Sequence, residues 1–253
     1  MSEGLPELFK KTDYKKPPGK VIDASLAQKI QSIDIEDFET EGVKEIFPPL
    51  CNIVFDLKEK IKEGKYSLVI GDDASGHVPA LILYKFIREI YKEKQKKINI
   101  VFLSGSKGLN ESDLENKKEK IKNLLKDKLN VNEKSGVLVA TDVVFTGETL
   151  VPLRDVLNDM KVDYNISSIS VLYEKDSVAL EEKFDNKLIY GTYGELQSIL
   201  GNSTLSGFEK SPEDIFAKRK KLTSEQEVYF RQGRKDIEIA VKKLTDFYES
   251  ISK

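Results

Sequence analysis

The sequence holds one cysteine, one histidine, two methionines and no tryptophan in 253 residues. A lone thiol, Cys51, forms no internal disulfide, and one Cys with one His cannot build an ordinary Cys/His zinc cluster, which points to a reducing compartment. Long apolar runs are missing as well. The opening stretch MSEGLPELFKKTDYKKPPGK has no apolar core of signal-peptide length, and no later segment approaches the ~20 uninterrupted apolar residues of a membrane span. A cytoplasmic protein without a membrane partner is therefore expected. Nor is there an excess of one charge: 41 Lys and Arg face 43 Asp and Glu, for a net charge of -2. Without a global basic field, nucleic acid is disfavoured as a partner and would need a local patch.

What is present is a polar, globular composition, 39% hydrophobic and 33% charged, in a chain long enough for one domain with appendages. The pattern alternates strand and helix. YSLVIG is a β-branched run followed by the turn DDASGH and the apolar helix VPALILYKFIREIY. INIVFLSG is a second strand, trailed by a charged helix with Leu114, Ile121, Leu125 and Leu129 on one stripe. GVLVAT is a third strand, leading into a helix whose Leu150, Leu153, Leu157 and Met160 share a face; ISSISVLYE and KLIYG are a fourth and a fifth. Such alternation predicts an α/β fold, a doubly wound and mostly parallel sheet of about five strands, with ligands at the carboxyl ends of the strands.

Outside the sheet, ASLAQKIQSI reads as a short helix, and Pro48-Pro49 reads as a break before a helix carrying Leu50, Val54, Leu57 and Ile61. Ser211-Pro212-Glu213-Asp214 reads as a helix start, and Thr223 or Ser224 as the cap of a last amphipathic helix with Ile237, Val241, Leu244, Tyr248 and Ile251 on one side. That helix packs either on the core or on a second subunit. Three parts follow: an N-terminal arm with helices over 1–60, a core over 61–200 and a helical C-terminal extension over 201–253.

Two loops leave from expected strand ends. The stretch GVLVATDVVFTGETLVPLRDVL passes from strand through one acid and a Thr-Gly-x-Thr turn into a helix. Hydroxyls and unpaired amides at a helix start favour an anion, and phosphate is the obvious guest. Residues 138–149 resemble the phosphoribosyl diphosphate motif of type I phosphoribosyltransferases, and GDDASGHVPALI resembles the EASG...PA stretch of the xanthine enzymes and, more loosely, the first loop of the adenine enzymes. The two matches fall in the expected order, each after a strand, and cover about 100 residues.

The resemblance implies a phosphoribosyltransferase-like fold binding phosphoribosyl diphosphate or a nucleoside 5'-phosphate, and transfer of phosphoribosyl to a nitrogenous base with release of pyrophosphate. On that carry-over Asp142 is the catalytic acid and, with Thr141, holds the ribose. Phe145, Thr146, Gly147, Glu148 and Thr149 form the 5'-phosphate loop. Asp73, Ala74, Ser75 and Gly76, with Lys107, take the pyrophosphate. Magnesium, Mg2+, is implied as cofactor, held by substrate oxygens with no side-chain ligand assigned. A homodimer is implied, as is a variable hood for the base, for which residues 1–60 and GTYGELQSILGN are the candidates.

Three departures from the family pattern favour a second reading, a non-catalytic binding or regulatory protein of the same fold. Thr141 replaces the leading acid of the motif. Phe145 stands where a small polar residue is usual, so its ring must pack inward or crowd the phosphate. Ser104-Gly105-Ser106-Lys107 replaces a basic pair after the second strand. Each residue also has a plainer role. His77, a candidate for diphosphate contact or proton transfer, otherwise reads as a solvated loop histidine, and Asp72 as a turn residue. Thr146 and Thr149 read as helix caps, Glu148 as a first-turn acid, and the basic residues of AKRKKL as one solvated helix face. A nucleotide kinase or hydrolase is set aside because the chain lacks Gly-x-x-x-x-Gly-Lys-Ser/Thr.

Overall fold

The computed structural model describes residues 24–72, 76–104, 109–129, 136–173, 176–194, 203–209, 214–216 and 218–252. Five strands form one sheet: β1 (Tyr66–Asp72), β2 (Asn99–Leu103), β3 (Gly136–Val144), β4 (Tyr164–Val171) and β5 (Leu188–Tyr193). Their order is β2-β1-β3-β4-β5 and every pairing is parallel. Strands β1, β3 and β4 are almost wholly buried, as a parallel sheet covered on both faces requires. The order turns back between β1 and β3, so the helices that follow those two strands lie on opposite faces of the sheet and the carboxyl ends of the two strands form its switch point.

Helices cover both faces, as the alternation predicts, and flank the sheet at both ends of the chain. On one face lie α1 (Ala24–Gln31), α2 (Glu41–Lys62), α3 (His77–Lys92) and α8 (Ser224–Ile251), burying residues such as Ile46, Leu57, Phe86 and Leu244 against Val69 and Leu138. On the other lie α4 (Glu111–Lys128), α5 (Val151–Asp159) and α6 (Ser177–Lys183), with Ile121, Leu125, Leu153 and Phe184 against Ile70 and Val139. The short helix α7 (Ser203–Ser206) packs on α8. No helix among the described residues is long and apolar enough to cross a membrane.

Several local expectations are corrected. Pro48-Pro49 does not break the chain: α2 runs through both prolines. Val43, Ile46 and Phe47 bury on the same side as Leu50 and Val54, and packing of that stripe outweighs the loss of about 3 kcal/mol that an interior proline brings. The smooth proline face even serves packing, since a Cβ on Gly191 of β5 would lie 2.6 Å from the Pro49 Cβ. Strand β3 continues past GVLVAT to Val144, so Thr141 and Asp142 lie within a strand.

The C-terminal extension departs furthest. The expected helix start at Ser211-Pro212-Glu213-Asp214 falls largely on residues 211–213, which lie outside the described residues, and residues 214–216 after them are not helical. Phe216 bridges antiparallel to Leu103 at the end of β2, and the Ser104 N–H donates to the Ile215 carbonyl at 2.9 Å. Two short strands, β6 (Phe208–Glu209) and β7 (Lys218–Arg219), form a ribbon. The basic run of AKRKKL is thus a ribbon edge, not a helix face: an open sheet edge offers backbone partners that local propensity cannot anticipate. Thr223 does cap α8, in a full capping box with Gln226. The apolar side of α8 packs on α2 and α3, which settles its role as core.

Candidate functional site

The described ends of the first loop, Asp72 and Gly76, lie beside β3, the strand that leads into the second. Gly71 of β1 pairs in register with Ala140 of β3, so Asp72 and Thr141 come level on adjacent strands and point to the same face. Gly76, just before α3, ties the loops together. A Cβ there would lie 2.5 Å from the Ala140 carbonyl oxygen and 2.8 Å from the Asp72 nitrogen, closer than real Cβ contacts allow. Only glycine fits at this position, hard against the end of the sheet. Asp73, Ala74, Ser75 and Lys107, assigned to pyrophosphate above, lie outside the described residues.

Asp142 is 5% exposed. Its Oδ1 accepts the Val143 N–H at 2.6 Å, and its carbonyl accepts the Ser168 hydroxyl at 3.3 Å. Strand alternation slips at this point. Leu138 and Ala140 face the α2/α3 layer, but Val143 joins them there while Val144 packs on the opposite side. A side chain that bonds its own neighbouring amide is the expected cause, since it draws the backbone out of regular pleat. Thr141 is buried beside it.

Beyond Val144 the loop does not open a helix directly. Residues 148–150 form a turn, α5 begins only at Val151, and Leu150 occupies its cap without a side-chain bond. Neither Thr146 nor Thr149 caps α5, and Glu148 is not in its first turn. Glu148 and Thr146 are exposed, and Thr149 is half-buried. The Glu148 N–H reaches the Thr146 hydroxyl at the limit of 3.5 Å. Gly147 has φ +71°, and a Cβ on it would strike the Phe184 ring at 2.7 Å, so the turn rests on α6 by virtue of having no side chain there.

Phe145 neither packs inward nor fills the loop. It is 54% exposed and meets Tyr173 edge to face, with ring centroids 5.7 Å apart. The pair stands on the rim, at the ends of β3 and β4. One further residue escaped sequence reading: Lys183, at the end of α6, donates to the Thr146 carbonyl at 2.7 Å, placing an ammonium at the turn after β3. No local pattern marks it, because it arrives from another face of the fold.

His77 is not a solvated loop residue. It is the first residue of α3, 3% exposed, and stacks on Phe102 with centroids 3.7 Å apart. Burial, with the nearby Arg234 guanidinium, pulls its pKa down to about 3. It is neutral at any physiological pH and serves as a wall, not as a proton shuttle.

The two carboxylates at adjacent strand ends, Asp72 and Asp142, are hard oxygen donors. Among the described residues no group of three His, Cys, Asp or Glu side chains could hold a metal. That set fits an ion carried mainly by substrate oxygens and touched by one or two carboxylates, which is how magnesium is commonly held beside phosphates.

No protein-family model matches the chain, and no curated protein matches it. Among solved structures, the chain is similar to the crystal structure of an APRTase from Giardia lamblia complexed with 9-deazaadenine, at 14% identity, covering 58% of this chain and 80% of that one, with a TM-score of 0.35. So loose a likeness carries no argument about chemistry, and the α/β architecture rests on this chain's own strand order.

Proposed function

We propose that the rim crevice between β1 and β3 binds phosphoribosyl diphosphate or a nucleoside 5'-phosphate, and that the protein transfers phosphoribosyl to a nitrogenous base with release of pyrophosphate. The observation that carries this reading is the contact at Gly76, the last residue of the Asp-Asp-Ala-Ser-Gly stretch, which lies hard against the Ala140 carbonyl of the strand that bears Asp142. Two stretches whose sequences separately resemble the pyrophosphate and ribose-phosphate loops of one family leave from adjacent strands, which supports a shared site. In this assignment the Asp142 carboxylate orients the ribose hydroxyls, and amides and hydroxyls of residues 146–149 hold the 5'-phosphate with Lys183 at their edge. The first loop takes the pyrophosphate. Asp142 and Asp72, at the ends of adjacent strands, would be the side chains to touch a magnesium ion carried by the substrate, which would supply charge neutralisation for the departing diphosphate.

The same division into arm, core and extension is proposed, with the arm contributing to a hood over the base and the tail leaving homodimer formation open to other surfaces. A second reading, binding without transfer, is favoured by Thr141. A threonine hydroxyl in place of a carboxylate forgoes a charged hydrogen bond of roughly 1.5–3 kcal/mol, which slows a reaction more readily than it abolishes binding. One experiment separates the two. Purified protein is given magnesium, labelled phosphoribosyl diphosphate and a panel of purine, pyrimidine and pyridine bases. Pyrophosphate release with any base establishes transfer. Tight binding without release establishes the binder, and no binding at all rejects both.

A further inference from the structure

Strands β3 and β4 stay paired to their carboxyl ends. Val144 and Val171 are in register, and the Leu172 N–H donates to the Val144 carbonyl at 3.1 Å. The next residue on each chain is aromatic, Phe145 on one and Tyr173 on the other. Both backbones are held on their far side as well. The Asp176 N–H donates to the Tyr173 carbonyl at 3.1 Å, and Gly147, just after Phe145, lies hard against the Phe184 ring of α6. The two rings meet at an interplanar angle of 67°. Among the described residues they are the only ring pair with both members exposed. Rings half in water do little for the fold, yet these are fixed in place by the strands beneath them, as a preorganised binding surface requires.

Size and position decide what such a surface takes. An aromatic side chain presents 150–250 Å² when wholly exposed, so two rings about half exposed offer on the order of 200 Å². A stable dimer needs about 800 Å² from each partner. The patch is too small for a second copy and matches one face of a single flat ring. Phe145 lies three residues past Asp142, about 10 Å of extended chain, and directly before the turn of residues 146–149. A nucleoside 5'-phosphate with its ribose on Asp142 and its phosphate on that turn spans Phe145, and the part of it still without a partner is the base. Every base has a π-face that stacks on an aromatic side chain, and two rings set nearly at right angles offer a face to stack on and an edge to meet it.

We infer that Phe145 and Tyr173 form the surface on which the planar heterocyclic base of the ligand stacks. The inference rests on the proposed ribose-phosphate reading and names residues for its base. Calorimetry on the full chain tests it with three probes: ribose 5-phosphate, which has no base, adenosine 5'-phosphate and uridine 5'-phosphate. Wild-type protein should bind both nucleotides more tightly than ribose 5-phosphate, by about five- to hundredfold for one stacked base, with the larger purine ahead. Phe145→Ala removes a ring that is mostly in water. It should erase most of that margin and leave ribose 5-phosphate within about twofold. Tyr173→Leu should narrow the margin too, and it decides should the Ala variant fail to fold. No margin in the wild type, a margin that survives both variants, or equal weakening of all three probes overturns the inference and leaves the ribose-phosphate reading standing. A dimer in sedimentation that Phe145→Ala dissociates assigns the rings to a second copy and overturns it as well. If wild-type protein binds none of the three probes, both fall.

Discussion

Acidification from pH 7.5 to 5.0 should cost the folded state about 2 kcal/mol through a single residue. His77 is the only histidine in the chain, and the fold holds its pKa near 3 against an ordinary 6.5, by burial and by the Arg234 charge. Below pH 6.5 the unfolded chain takes up a proton that the folded one refuses, so stability falls as pH falls, and this contribution stops changing only near the folded pKa. Each pH unit in that window is worth about 1.4 kcal/mol, so 1.5 units below 6.5 give roughly 2 kcal/mol. The result barely depends on the depressed value itself, because at pH 5 the folded imidazole is neutral whether its pKa is 3 or 4. Urea unfolding at pH 7.5 and 5.0 measures it, with His77→Gln as the non-titrating comparison for carboxylates that protonate in the same range. The wild type should lose about 2 kcal/mol more than the variant. Equal losses in both proteins, or a folded-state imidazole resonance that titrates near pH 6.5, would refute the assignment of His77 as a neutral wall.

Other outcomes follow from single contacts. Asp236 of α8 is wholly buried and accepts both the N–H and the hydroxyl of Thr40, the residue capping α2, at 2.6 Å each. Asp236→Ala should lower the unfolding free energy by about 2–4 kcal/mol, since it leaves two buried donors without an acceptor, and a urea midpoint shift reads it. Gly76→Ala forces a Cβ to within 2.5 Å of the Ala140 carbonyl. It should destabilise by about 2 kcal/mol or more and weaken every phosphorylated ligand, because the first loop must lift from β3. Gly147→Ala, at φ +71° and against Phe184, should cost about 1–3 kcal/mol. Phe145→Ala should change stability by less than about 0.5 kcal/mol, since its ring is mostly in water; a thermal melt checks it.

The sheet was legible because its signals are strong and local. Runs such as LVIG and VLVA are apolar on both faces, and turn residues separate them from helices, so strand count and parallel sense follow directly. The position of Asp142 and the Thr-Gly-x-Thr turn at a strand's carboxyl end was legible because the apolar run before them and the glycine within them are contiguous local signals. What the sequence hid arrives from a distance. Lys183 reaches the Thr146 carbonyl from a helix that starts after the last element of either motif, and no spacing in the chain connects it to that turn. The solvated reading of His77 failed for the same reason: the stacking surface of Phe102 lies 25 residues away on another strand. The prolines of α2 and the ribbon at 218–219 failed differently. In both, tertiary packing overrode a valid local preference.

The most direct measurement is a crystal structure of the protein soaked with magnesium and phosphoribosyl diphosphate. The account predicts the 5'-phosphoryl oxygens within hydrogen-bond distance of the amides of residues 146–149, and the ribose hydroxyls on Asp142. A ligand bound elsewhere on the molecule, or a rim left empty at saturating concentration, would contradict it.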